Sequence, residues 1–220
     1  FVEGLLLQLM AFHSYEDLKI VIMTSKENED RWDYLKTSPY CSDDDRSIRF
    51  FSTDVDEANQ ISIYLNNFLQ NRKYEDGDTT KLRSGDYKNY KPYFVIITDD
   101  YQTLRNIEII KDVLSQKINL GFSILLVQDR LLGLPNECTT FINVETNQSG
   151  IFENELTKDK QQSFKADFIG DLNIKEVNKI VANIPIEMAK DRYALPSKLG
   201  FLEMYNVGKI DHLNPLNRWK

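Results

Sequence analysis

Cysteine and histidine are nearly missing from this 220-residue chain, which holds two of each: Cys41, Cys138, His13 and His212. The cysteines lie far apart without C-x-x-C spacing, and two histidines cannot build a His-rich ligand set. Zinc and dithiol redox chemistry are therefore excluded, and both thiols are expected to be buried or incidental. Thiol usage this sparse fits a reducing, cytosolic compartment. No stretch reaches the ~20 consecutive apolar residues of a membrane-spanning helix. The opening run, Phe1-Val2-Glu3-Gly4-Leu5, has neither a basic n-region nor a small-residue cleavage site, so no secretory leader is read there. Starting without Met and in mid-helix pattern, the chain reads as a piece of a longer protein. A basic excess is missing as well. The formal net charge is −7, with lysines and arginines scattered among acids, which argues against nucleic acid as a partner.

Glycine is scarce where phosphate chemistry would need it. A P-loop, G-x-x-x-x-G-K-[ST], wraps phosphates in backbone amides and supplies a Lys and a Mg²⁺-ligating hydroxyl. None of the nine glycines stands in that frame, and any such loop is expected upstream of Phe1. No G-x-G-x-x-G follows a strand, and no G-x-S-x-G elbow occurs. The Asp43-Asp44-Asp45 run lacks the spaced ligands of a Ca²⁺ loop and reads as a solvated acidic loop. His13 suits a helix C-terminus, where a cation meets the dipole. Trp32 and Trp219 read as packing anchors.

What the sequence does hold is ordinary globular material, 41% hydrophobic and 28% charged, enough for one sizeable core. Leu5, Leu6, Leu9, Met10 and Phe12 predict a mostly buried helix that stops at His13. Apolar, β-branched runs predict strands over 18–23, 48–51, 93–98 and 122–127; those at 93–98 and 122–127 do not alternate, which points to burial on both faces. A short helix is expected over 29–35, ended at Ser38-Pro39. A second starts at Thr53, with Asp56 completing an acidic capping box, and carries Val55, Ala58, Ile61, Leu65, Phe68 and Leu69 inward. Residues 73–91 read as a long exposed loop. A further helix is expected over 101–116 with Leu104, Ile107, Ile110, Val113 and Leu114 inward. Short strands over 140–144 and 150–153 form a hairpin, and a last helix over 173–189 is interrupted at Pro185. Alternating strands and helices predict a three-layer α/β fold of RecA/Rossmann-like type, a mainly parallel sheet with helices on both faces. The domain is set at 1–190, with 191–220 as a C-terminal linker segment.

One pair of residues could carry chemistry. The strand at 93–98 runs directly into Asp99 and Asp100, as a Walker B element would: one acid for the Mg²⁺ shell, one to polarise the attacking water. The alternative is that either acid merely caps the following helix.

Taken in order, these pieces resemble membrane-anchored FtsK/SpoIIIE-type ATPases of type VII secretion systems (the EssC/EccC type). The resemblance rests on Phe1 through Leu9, Phe12-His13-Ser14, Asp17-Leu18 and Trp32. It continues through Pro92 to Asp100, Asn119-Leu120-Gly121, Leu195-Pro196, Phe201-Leu202 and Arg218-Trp219. It implies a degenerate P-loop ATPase-like module between the membrane helices and the first conventional ATPase domain. It further implies a cytoplasmic domain of a bacterial cell-membrane protein that exports small helical WXG-type proteins. Asp99 and Asp100 take the degenerate Walker B positions, with Asp where Glu is common. No catalytic residue and no metal site is assigned. ATP and Mg²⁺ belong to the parent's later domains, and weak Mg-ATP binding with slow hydrolysis here is left open. Implied partners are the neighbouring ATPase and membrane domains, other secretion components, and other copies of the parent.

Overall fold

The strand β1 (Leu18–Met23) is buried at all six positions. A run of Leu-Lys-Ile-Val-Ile-Met has no polar face to turn to water, so both of its faces must be covered, as in parallel sheets between helices. The computed structural model describes residues 1–75, 89–145, 148–153, 161–184 and 186. Phe1–Ile184 forms one compact unit.

β1 pairs in parallel with β2 (Phe51–Ser52) on one side and β3 (Tyr93–Thr98) on the other, and β3 pairs in parallel with β4 (Phe122–Leu126). The order β2-β1-β3-β4 means that the chain moves outward from β1, then returns to its other side. The carboxyl ends of β1 and β3 thus form the topological switch point, where open α/β sheets bind ligands. α1 (Val2–Phe12) packs on α6 (Ile174–Ala182), and α3 (Val55–Glu75) packs on α5 (Glu108–Ser115). Phe94 meets Phe68 of α3, whereas the next residue, Val95, lines a cavity with Leu5 and Leu9 of α1. Successive strand residues point to opposite faces, so α1 and α3 cover opposite sides of the sheet. This is the expected three-layer α/β arrangement.

Several local expectations change. α3 is capped one residue later than Thr53: the Asp54 carboxylate accepts from the Glu57 amide at 2.9 Å, and Glu57 accepts in turn from the Thr53 amide at 2.9 Å. Phe12 and Val55, expected inward, lie at helix ends and face solvent, Phe12 with 82% of its surface. The strand expected over 48–51 shrinks to Phe51–Ser52 because residues 48–50 fold back on 41–43. There Phe50 N donates to the Cys41 carbonyl and Asp43 N to the Ile48 carbonyl. The single helix expected over 101–116 breaks at Ile107, whose backbone is extended, into α4 (Tyr101–Leu104) and α5. The break buries Leu104, Ile107, Ile109 and Ile110 together, and Ile109 N finds the Ser62 hydroxyl of α3 at 3.0 Å.

A second, antiparallel sheet joins β5 (Phe141–Asn143), β6 (Ser149–Phe152) and β7 (Gln162–Phe164). Its first two strands form the expected hairpin; the third was not anticipated. α6 is shorter than expected. Its cap, Asn173, accepts from the Glu176 amide at 3.3 Å. Residues 76–88 of the expected loop, 146–147 of the expected turn, Pro185 and the 191–220 segment lie outside the described residues.

The described ends of the expected 73–91 loop are ordered into the fold: α3 runs to Glu75, and Tyr90 is only 7% exposed. The reason is Arg72. Its guanidinium is buried among the rings of Tyr90, Phe122, Phe94 and Phe68, 5.0 to 5.8 Å from their centroids. It donates to the Leu120 carbonyl at 2.9 Å and to the Pro92 carbonyl at 2.6 Å, tying α3 to the amino ends of β3 and β4. Gly121 passes so close that a Cβ there would sit 2.5 Å from Arg72 Nη1 and 2.6 Å from Tyr90 Cβ, and its φ of 81° already favours glycine. Gly121→Ala should therefore destabilise the fold by on the order of 3 kcal/mol. Urea denaturation would test this; a change under about 1 kcal/mol would mean that the cage is loose.

Candidate functional site

Asp99 and Asp100 follow β3 at the switch point. Asp99 is only half-buried, yet both of its carboxylate oxygens are engaged by the protein. Thr24 Oγ1 donates to Oδ1 at 2.6 Å, and Trp32 Nε1 donates to Oδ2 at 2.9 Å. Thr24 is the first residue after β1, which the parallel register (Met23 opposite Thr98) brings level with the end of β3. Trp32 ends α2 (Glu29–Trp32) and is 1% exposed. The polar surroundings of Trp32 put its α2 neighbours in water, while the indole is the one large apolar group of that helix and turns inward. Its N–H then needs an acceptor, and Asp99 supplies it. Gln128, beyond β4, adds a 3.4 Å bond from its amide to the Asp99 carbonyl.

Asp100 plays a different part. It occupies the cap position of α4, but its side chain makes no capping bond; its backbone N–H instead donates to Thr98 Oγ1 at 3.1 Å. The two acids thus stand side by side in sequence without converging on one point. Sequence reading placed Trp32 as a packing anchor and missed its second role as a donor to Asp99, 67 residues away.

These residues do not fit a Mg-nucleotide site. The strands flanking β3 are β1 and β4. The loop after β1 is Thr24-Ser25-Lys26-Glu27-Asn28, without glycine, and the loop after β4 begins Val127-Gln128-Asp129. Neither carries the G-x-x-x-x-G-K-[ST] frame that wraps phosphates in amides. The Trp32 indole is seated against Asp99 Oδ2. Among the described residues no group of three or more His, Cys, Asp or Glu is placed to hold a metal ion.

Other titratable groups serve the core. Lys19 is buried on β1, where desolvation lowers its pKa; it donates to the Pro39 carbonyl at 3.3 Å and pairs with Asp44 at 3.3 Å. Burial pushes the Cys41 thiol up to about 12. Cys138 is half-exposed and also raised by burial.

No protein-family model matches the chain. It is 26% identical over 222 residues to the type VII secretion system protein EssC of Staphylococcus aureus (strain NCTC 8325 / PS 47), a match covering 100% of this chain and 15% of that protein. It is 21% identical over 221 residues to the ESX secretion system protein YukB of Bacillus subtilis (strain 168), covering 99% of this chain and 14% of that protein. The chain thus spans about one seventh of the length of these relatives. Among solved structures, EssC (ATPases 2 and 3) from Geobacillus thermodenitrificans superposes with a TM-score of 0.52 at 15% identity, over 93% of this chain and 46% of that one. The chain is homologous to EssC of the type VII secretion system, and its α/β fold is consistent with the RecA-like fold of an ATPase domain. None of its described helices is long and apolar enough to cross a membrane.

Removing either partner of the Trp32–Asp99 bond strands the other. Trp32→Phe and Asp99→Asn are each expected to cost about 1–3 kcal/mol in urea denaturation, and the double variant less than their sum. Strict additivity would show that the two side chains do not act together. With iodoacetamide near pH 8, Cys138 should be alkylated while Cys41 stays intact until the protein unfolds; mass spectrometry of the two peptides distinguishes them. Early modification of Cys41 would contradict its burial.

Proposed function

We propose that this chain is a non-catalytic, ATPase-like coupling module of a type VII secretion motor protein. The observation that carries the reading is the engagement of Asp99: the carboxylate in the Walker B position is held by Thr24 and Trp32 at the switch point, with no phosphate cradle on either side. Homology to EssC and YukB supports the setting. In this reading the parent protein is a bacterial cell-membrane protein whose conventional ATPase domains drive export of small helical WXG-type proteins. The present domain stands on the cytoplasmic side and passes movement between the membrane part and those ATPase domains, towards which 191–220 leads. In this reading its side chains serve that work and not turnover. The sheet is stitched at its carboxyl edge by Asp99 and at its amino edge by Arg72, so displacement on one side is carried through as a body instead of being absorbed in a closing cleft.

Two measurements test this. Calorimetric titration of Mg-ATP should give no heat that depends on Asp99, so the protein and its Asp99→Asn variant should return the same isotherm. Saturable binding lost in that variant alone would make this a nucleotide site and end the non-catalytic reading. In cells, replacing the module by a spacer of matched length in the parent should abolish export while the parent remains in the membrane. Undiminished export would show that nothing is coupled through it.

A further inference from the structure

The hairpin before β2 holds charges that the Asp99 region does not use. A cavity of about 520 Å³ opens between this hairpin, the turn after α2 and the first turns of α3. Its basic lining residues are Lys36, Arg46 and Arg49, against one carboxylate, Glu57, which already accepts from the Thr53 amide. In a chain of net charge −7, this is a local reversal of sign. The acids nearest in sequence do not cancel it. Asp43 accepts from Ser47 Oγ and Ile48 N, Asp44 pairs with Lys19, and Asp45 faces solvent. Lys36 is held by Glu29 and Asp33. Arg46 and Arg49 form no ion pair among the described residues.

A second observation points to a ligand. Ser38 also lines the cavity, is 3% exposed, and carries a hydroxyl without a hydrogen-bond partner. An unpaired buried hydroxyl costs about 1–3 kcal/mol; a ligand acceptor would relieve that cost. Two guanidinium forks suit the oxygens of a phosphate, which they can bind in pairs. Phe51 and Ile61 add an apolar wall, and the volume exceeds what one phosphate fills. We propose that this cavity binds a phosphate or pyrophosphate group, gripped by Arg46 and Arg49, with the Ser38 hydroxyl, itself closed to solvent, turning toward it as a further donor. The site is separate from Asp99 and stands whether or not the coupling role holds.

The test is calorimetric titration of inorganic pyrophosphate, without Mg²⁺, into the chain at low salt. Saturable binding is expected, weakened at least ~tenfold in Arg46→Asn/Arg49→Gln, as loss of charge-assisted bonds requires. Asn is chosen at position 46 because the backbone there is left-handed, with φ of 56°, a conformation Asn tolerates; an unchanged urea midpoint shows that the variant folds. Ser38→Ala should weaken binding several-fold without lowering stability, which a purely structural hydroxyl would not do. Lys111→Gln, outside the cavity, should bind as the parent chain does. Two further arms identify the source of the group: tighter binding of ATP than pyrophosphate indicates a soluble nucleotide, and Arg46/Arg49-dependent sedimentation with phosphatidylglycerol vesicles indicates a lipid headgroup. Absence of pyrophosphate binding, or binding that the double arginine variant leaves unchanged, overturns the proposal.

Discussion

A carboxylate at the end of a parallel strand can turn outward to an ion or inward to the protein's own donors, and Asp99 turns inward. Through one side chain it fixes three segments: the residue after β1, the end of α2 and the end of β3. These are the segments whose separation would open a ligand crevice in a sheet of this order. Trp32 gains the acceptor its indole needs in a dry position. Burying an indole contributes about 2–3 kcal/mol, so stability and the engagement of Asp99 follow from the same contact. At the opposite edge Arg72 does similar work with the sign reversed, a cation meeting carbonyl oxygens and aromatic faces.

The homology and the chemistry therefore separate cleanly. Whole-chain similarity to EssC and structural likeness to its ATPase domains concern the scaffold, and a scaffold carries no activity by itself. Nucleotide hydrolysis needs amides, a lysine and a hydroxyl placed around phosphates, and the loop after β1 supplies Thr24 but no glycine. With its hydroxyl given to Asp99, Thr24 becomes part of the closure. What the chain shares with an ATPase domain is its layered sheet.

Much of that sheet was legible from residue order. The runs at 18–23 and 93–98 become strands with the same bounds, because stretches this apolar, broken in the first only by Lys19, are satisfied by burial on both faces. The helix at 101–116 misled for the converse reason: its inward residues fit a helical period, but burying both Leu104 and Ile109 needs the extended step at Ile107. β7 carries Gln162 and Ser163, exposed and polar, and has no pattern to read. The Asp99 site was half legible. Its acid announced itself at the end of a strand, while Trp32 gave only one clue, a lone large aromatic in a helix otherwise made of charged residues. Partners so far apart in sequence are brought together by strand order, and pairwise spacing along the chain does not encode that. Arg72 was hidden in the same way, since it stands just before the stretch read as a loop and carries no apolar pattern of its own.

The contrast between the two polar regions is one of engagement. At the switch point the acid is already satisfied, whereas beside β2 Arg46 and Arg49 form no ion pair among the described residues and the buried Ser38 hydroxyl lacks a partner. In the proposed reading anion recognition stands apart from the Asp99 edge, and the connection between them is short. Lys36, which lines the β2 cavity, lies one turn after Trp32 and is tied back to Glu29 at the start of α2. An anion in the cavity would compete with Glu29 and Asp33 for the Lys36 ammonium, and any shift of that turn would be felt first at the indole that holds Asp99. Charge at the edge of the sheet would then bear on the closure at its centre through a single helical turn, without any ligand entering the crevice itself.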